Sequence, residues 1–502
     1  MQPVARILVR AAAVVSWRSP RVAFLGATIL VSAVVGVLAV VVVPAERSGA
    51  QAAGFAPGRA EGENMALVGM NDLQARSAYQ PVIHRNEMAG RWIAYVGHHE
   101  GSAVNPLTGV EEPNGTSLVD VTDPKHPKYL HHIPGPASAT GAQMTRVCDG
   151  ADLPDGEPGA EYLLRALGDE AHEIWDVTDP QSPELLASID AGNGTHKNWW
   201  ECDTGIAYLV SSAPGWRTDR MTQVYDLSDP TTPVHIRDFG LVGQEPGSTG
   251  PVPTEVHGPI SLGDKVYFGY GTERDGIMQI VDRDKLVNGA AEPTPENLLA
   301  PQISRLDLCS FCGGAHTTLP VLGMAVRGFE NFPTGANRDV AVIVNESGEN
   351  FCAAPDPGPE MVYLADITDP AKPQVISNFH VDERSKNFCD RGGRFGAHSS
   401  NEKMTPLYHK KLVFVSWFNA GVRAIDIRNP FSPREVAHYI PATTENTAEN
   451  CGTVDGEERC KTVIQTNNVE VDDRGYIYIV DRANTGMHIL RLTGSARQIA
   501  LQ

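Results

Sequence analysis

The sequence predicts an all-β fold: a seven-bladed β-propeller of four-stranded antiparallel blades, preceded by one N-terminal transmembrane helix. Three observations predict the propeller. A β run ending in Asp, followed by an Asp-Pro or Asn-Pro turn, recurs along the chain. Glycine (48) and proline (36) are abundant, as many short strands joined by tight turns require. The last unit stops one strand short, and a spare β run near the beginning of the same region supplies a strand to complete it.

The chain has 502 residues, 41% of them apolar and 20% charged, which allows a large core and excludes wholesale disorder. Its first element is the uncharged run Val22 to Val43, long enough to cross a bilayer as a helix. Arg6, Arg10, Arg18 and Arg21 precede it, and the flank after it is nearly neutral. The positive-inside bias therefore puts residues 1–21 in the cytoplasm, 22–45 in the cell membrane as an anchor or uncleaved signal, and the rest outside. Ala50-Gln51-Ala52 is an A-x-A site, and cleavage there gives a secreted protein instead. Residues 46–63 read as a flexible linker, 64–494 as the propeller and 495–502 as a tail.

Eight cysteines follow the apolar run and suit an exported chain, where disulfides persist. Cys309 and Cys312 form one CxxC with no second pair at zinc-ribbon distance, so structural bridges are expected throughout. Cys148 and Cys202, in matching RVCD and WECD contexts, are one expected pair. Cys451 and Cys460 are another, closing a single loop.

The repeat is easiest to follow by its first Asp: Asp120, Asp176, Asp226, Asp282, Asp366 and Asp426, roughly 50 to 84 residues apart. In Glu173-Ile-Trp-Asp-Val-Thr-Asp-Pro180 the apolar run ends at Asp176, and the second Asp with its Pro starts a turn. Asx side chains bond their own backbone and Pro fixes φ, so these aspartates are turn-formers rather than catalytic acids. Upstream of most copies lies an aromatic or β-branched strand, such as Val340-Ala-Val-Ile-Val344 or Tyr476-Ile-Tyr-Ile-Val480. With one strand before it and one after the turn, each unit has four. The seventh unit, Asn467 to Leu492, has three, and Asn64 to Met70 is the expected fourth, pairing the two ends of the chain and removing both sheet edges.

This pattern, L-V-x-V-D or x-I-V-D followed by x-D-P, is similar to that of the LVIVD-repeat family of exported bacterial β-propellers. The resemblance spans roughly residues 64 to 494. It implies the propeller and the export, and says little about activity, because propellers host many chemistries. The fourth copy departs from it, with Asp282-Arg-Asp-Lys lacking the proline, and the seventh has Arg491 where Asp is expected.

Strand-starting histidines carry the functional reading. Val82-Ile-His84, Gly194-Thr-His196, Glu255-Val-His257, Gly314-Ala-His316 and Gly396-Ala-His398 each open the first strand of a unit. A propeller brings such positions to one rim around its axis, so His84, His196, His257, His316 and His398 are the candidate metal ligands. Neutral imidazoles in that number suit a transition metal ion, with copper or iron preferred to zinc or manganese. The second unit has Ala142-Gln-Met144 at the corresponding place, and the seventh Thr466-Asn-Asn468. Loops expected on the same face offer Glu100, Glu273 and Glu346 as acid/base groups. His132 and His438, on outer strands, read as surface residues.

The expected function is thus an extracytoplasmic propeller with a metal-dependent, oxidoreductase-type activity. The alternative is a non-catalytic propeller binding a small-molecule or protein ligand at its loop-rich face. An axial histidine cluster is similar to the arrangement in carotenoid-cleaving oxygenases and nitrous oxide reductase, a likeness of fold alone. With 41 Lys plus Arg against 61 Asp plus Glu, the net charge of −20 argues against nucleic acid as a partner. No nucleophile elbow, Walker A loop or dinucleotide-binding glycine fingerprint is present.

Overall fold

A computed structural model describes residues 58–136, 141–271, 275–308, 313–332, 335–346, 361–383, 385–454 and 457–502. The apolar run Val22 to Val43, Cys309, Cys312, Cys352 and Glu273 lie outside the described residues. Among the described residues no helix is long and apolar enough to cross a membrane.

Seven antiparallel sheets form the blades of a β-propeller. From the axis outward, the first blade is Ala78–Asn86, Arg91–His99, Thr116–Asp120 and Lys128–Ile133, with the short strand Gly141–Ala142 paired beside it. The second runs Thr145–Asp149, Glu161–Leu167, Ala171–Asp176, Glu184–Asp190. In the third the order is Asn198–Trp200, Ile206–Ser211, Met221–Asp226, Val234–Phe239. Val256–Leu262, Lys265–Tyr270, Ile277–Asp282 and Gln302–Asp307 make the fourth, and Gly314–Ala325, Asn337–Glu346, Val362–Asp366 and Gln374–Phe379 the fifth.

Both ends of the described chain meet in the last two blades. The seventh consists of Thr466–Val471, Tyr476–Asp481, Gly486–Leu492 and, outermost, Met65–Asn71, the strand expected to close the ring. The sixth contains Leu412–Ser416, Val422–Asp426 and Arg434–Ile440, and its outer edge takes up Glu61–Glu63. Residues 61–63, expected in a linker, are therefore a clasp. Glu61 also bonds Arg391 at 2.8 Å. On the axial side of the sixth blade, the stretch from His398 to Asn401 forms a bridge rather than a full strand: His398 N–H donates to Ser416 O (3.0 Å), Ser416 N–H to Ser399 O (2.9 Å) and Asn401 N–H to Phe414 O (3.0 Å). Gly494–Ala500 is a short helix that buries Ala496, Ile499 and Ala500 against the sixth and seventh blades, where a free tail was expected.

Strand parity explains the core. Both faces of each blade are covered by neighbours, so successive residues of one strand enter different interfaces. Val340, Val342 and Val344 pack toward the sixth blade, with Val413 and Val415. Ala341 and Ile343 pack toward the fourth, with Tyr267 and Ile280. Tyr476 to Val480 divides the same way: Ile477 and Ile479 face the sixth blade, Tyr478 and Val480 the first. Thr466–Val471 lies against Ala78–Asn86, which completes the circle.

The repeat aspartates act as expected. Asp120, Asp176, Asp226, Asp366 and Asp426 each accept a hydrogen bond from the backbone N–H two residues on, at 2.8 to 3.1 Å. Beyond each of these five turns the outermost strand carries a β-bulge, at Leu130, Leu186, Ile236, Ile376 and Val436. Asp282 departs with its sequence: lacking the Pro four residues later, it accepts from Lys285 N–H (3.0 Å) and caps the helix Arg283–Asn288. Cys148–Cys202 and Cys451–Cys460 are disulfides, and Cys389 is disulfide-bonded as well.

Candidate metal centre

Backbone irregularity at the start of the axial strands delivers the side chains. The ladder skips one residue between Val256 and Gly258 and again between Ala315 and Thr317; the skipped residues are His257 and His316. Equivalent skips release Tyr79 and Gln80 in the first blade, and Asn467 and Asn468 in the seventh. A bulge removes a residue from the pairing and re-aims its side chain, here to the axis.

His196, His257, His316 and His398 meet there, none more than 6% exposed. His196 Nε2 is 2.8 Å from His257 Nε2. Ring centroids of His257 and His316 are 3.4 Å apart, and those of His316 and His398 4.3 Å. Tyr79 Oη lies 3.1 Å from His196 Nε2 and 3.5 Å from His316 Nε2. Glu346 faces the cluster, its carboxylate 3.3 Å from His398 Nε2 and 3.7 Å from His316 Nε2. On the other side Glu346 is bonded by Arg394 at 3.0 Å.

Burial sets the protonation states. It holds His196, His257 and His316 well below the ordinary imidazole range, reinforced by neighbouring cationic and imidazole groups. Burial also pushes the Tyr79 phenol up, aided by the Glu346 charge. For Glu346 burial works upward but is outweighed by His398 and Arg394, so the carboxylate sits well below its usual range. His398 Nδ1–H donates to Asn467 O (2.6 Å), which turns its Nε2 lone pair inward. The Nδ1 atoms of His196 and His257 have no hydrogen-bond partner among the described residues.

Further along the axial side of the blades, charged groups cluster. Glu402 pairs with both Lys197 and Arg146, all three side chains buried. The Glu470 carboxylate accepts from the Glu402 and Lys403 backbone N–H groups at 3.1 Å. Burial, with the adjacent Glu402 charge, pushes Glu470 up to about 7. Gly258 makes room for Lys197: a Cβ there would lie 2.1 Å from Lys197 Cδ.

The first blade departs from the sequence reading. Its axial residue is Tyr79, because the strand begins at Ala78; His84 stands five residues on, about 17 Å along the strand. His84 instead meets Asp149 and Glu161. Glu100 is exposed, whereas its neighbour His99 approaches the cluster, its ring 4.9 Å from Tyr79. Of the expected acid/base groups, Glu346 alone among the described residues reaches the histidines. His132 and His438, expected at the surface, are buried against Glu112 (2.9 Å) and Glu435 (2.8 Å). Tyr79 and His99 escaped the sequence reading; the signal for Tyr79 was its place just ahead of Gln80-Pro81, where an axial strand begins.

Fold and geometry together define a seven-bladed β-propeller with a buried histidine cluster at one end of its axis. Comparison with family models gives no match, and no curated protein matches the chain. Among solved structures, it is similar to Sqt1 from Chaetomium thermophilum bound to the N-terminus of the ribosomal protein L10. That likeness has 11% identity and a TM-score of 0.47, covering 85% of this chain and 99% of the other.

Proposed function

We propose that the axial cluster holds one transition metal ion, with His196, His257, His316 and His398 as its ligands, and that the protein is a metal-dependent oxidoreductase. The observation that supports this reading is the meeting of four imidazoles, three of them held neutral by burial, beside Glu346, with donor atoms of His257, His316 and Glu346 all within 4.8 Å of one another. Without an ion, the 2.8 Å Nε2 contact of His196 and His257 is a single hydrogen bond that leaves the Nδ1 atom of each without a partner among the described residues. A set of imidazole donors with phenol and carboxylate groups beside it fits copper or iron. Such an ion would supply a redox centre and a Lewis acid. The chain's own residues do the rest. Glu346, kept ionised, accepts protons or hydrogen bonds beside His316 and His398. Tyr79, kept protonated, donates. Arg394 holds Glu346 in place.

A second reading, a non-catalytic propeller binding a protein or small ligand at its loop-rich face, draws support from the burial of the four imidazoles, which restricts access for a substrate. Metal analysis separates the two. Protein purified without a histidine tag is expected to carry close to one equivalent of copper or iron, and His257→Ala/His316→Ala to lose it. Folded protein devoid of copper and iron overturns the enzyme reading and leaves the binding one. The LVIVD-like repeat and the membrane-anchored or secreted location belong to the same proposal, and the disulfides Cys148–Cys202 and Cys451–Cys460 support export.

A further inference from the structure

A second polar cluster lies at the opposite end of the axial strands, between the first and second blades. Asp149 ends the strand Thr145–Asp149, and Glu161 begins the next; the two are directly paired across the ladder. Like charges at paired positions repel, so the pairing needs a compensating cation. His84 from the first blade reaches both, its Nε2 3.2 Å from Asp149 Oδ1 and 3.8 Å from Glu161 Oε1. One donor atom from each of the three residues falls within 4.8 Å of the others. That spacing is close to the roughly 3.4 Å edge of a tetrahedral zinc shell and needs only small rotamer shifts to reach it.

The Glu161 carboxylate is the independent sign of a ligand. Its side chain is 2% exposed, and neither oxygen makes a hydrogen bond of normal geometry among the described residues, although Tyr95, Asn86 and the Glu87 N–H stand near it. A buried carboxylate so poorly bonded, beside an imidazole and a second carboxylate, is costly unless a cation or a proton joins it. His84 and Asp149 retain 20% and 30% side-chain exposure, which gives an ion a path in from solvent. The Cys148–Cys202 bridge fixes the backbone next to Asp149, so the site is held in place before any ion arrives.

We infer that His84, Asp149 and Glu161 form a second metal site, selective for a divalent cation that accepts mixed nitrogen and oxygen donors, zinc or manganese, with a position left for water. It is separate from the axial cluster in position and in donor chemistry: one imidazole and two carboxylates, against four imidazoles. The alternative occupant is a proton on Glu161, with His84 and Asp149 as a simple ion pair.

Calorimetric titration of the chelator-stripped, full-length protein with zinc chloride, and separately with manganese chloride, decides between them. One micromolar-affinity equivalent of either metal is expected to survive in His257→Ala/His316→Ala and to vanish in Asp149→Asn/Glu161→Gln. His84→Ala is expected to weaken it about tenfold or more. If the axial variant fails to fold, the wild-type protein serves: the Asp149→Asn/Glu161→Gln change must remove one equivalent from its total, whatever the axial cluster binds. No equivalent lost on that change, or binding of both metals only at millimolar concentration, overturns the inference and leaves the protonated carboxylate. The axial proposal stands or falls separately, on the equivalent removed by His257→Ala/His316→Ala.

Discussion

Glu402 is the residue on which the channel beneath the histidines depends. It pairs with Lys197 and Arg146 at once, deep in the protein. Removing one member of a buried ionic network strands the others, which costs about 3–5 kcal/mol. Glu402→Gln is therefore expected to lower the unfolding free energy in urea by that amount, and Glu402→Gln/Lys197→Met to regain part of it; a loss under about 1 kcal/mol would contradict the network's role. Little of this was legible from the sequence, because Lys197 and Glu402 are separated by the whole of three blades and carry no motif. The histidines were legible for the opposite reason. His257 and His316 repeat at the same place in their units, and repetition survives ignorance of the exact register. Where register matters, residue type misleads: the first blade's axial strand carries a histidine, His84, but its bulge presents Tyr79. His98 and His99 show the same limit, since a strand end uncertain by one residue exchanges their faces.

At the level of strands and turns the sequence was most transparent. The Asp-x-x-Asp/Asn-Pro signal is local chemistry, and five copies fold as Asx turns whatever their surroundings. The disulfides differ in what they stabilise. Cys148–Cys202 spans 54 residues and ties the second blade to the third, while Cys451–Cys460 spans 9 within the hairpin Glu449–Val454 and Glu457–Thr462, a sheet of its own. Loop-closure entropy gives about 4 kcal/mol for the first and under about 3 kcal/mol for the second. Cys148→Ser/Cys202→Ser is accordingly expected to depress the thermal midpoint of the ring more than Cys451→Ser/Cys460→Ser; equal losses would show that the peripheral hairpin unfolds together with the blades. The closing strand makes a sharper case. Truncation before Asp72 exposes the backbone edge of Gly486–Leu492, and size-exclusion chromatography is expected to show self-association in place of a monomer.

The acid response belongs to the whole molecule. Burial holds His98, His99, His132, His172, His196, His257, His316 and His488 below the ordinary imidazole value of about 6.5, with His172 and His488 near about 4. A group that binds protons more weakly when folded gives stability that is complete above about pH 6.5 and is lost as pH falls toward its folded value. Glu161 and Glu470, pushed up to about 7, and Asp481, to about 6, act the other way: their contribution is complete below the ordinary carboxylate range and is lost as pH rises through those values. Eight imidazoles outweigh three carboxylates. Thermal unfolding of chelator-treated protein is expected to show a midpoint that declines from pH 7 to pH 4.5, and a flat or rising profile would refute the balance. Ring closure adds a constraint in time. Because Met65–Asn71 finds its partner only in Gly486–Leu492, a ribosome must finish nearly the entire polypeptide before the first strand has anywhere to go. Until then the nascent arc carries two unprotected borders, so chaperone dependence during synthesis follows from the same pairing that makes the finished ring seamless.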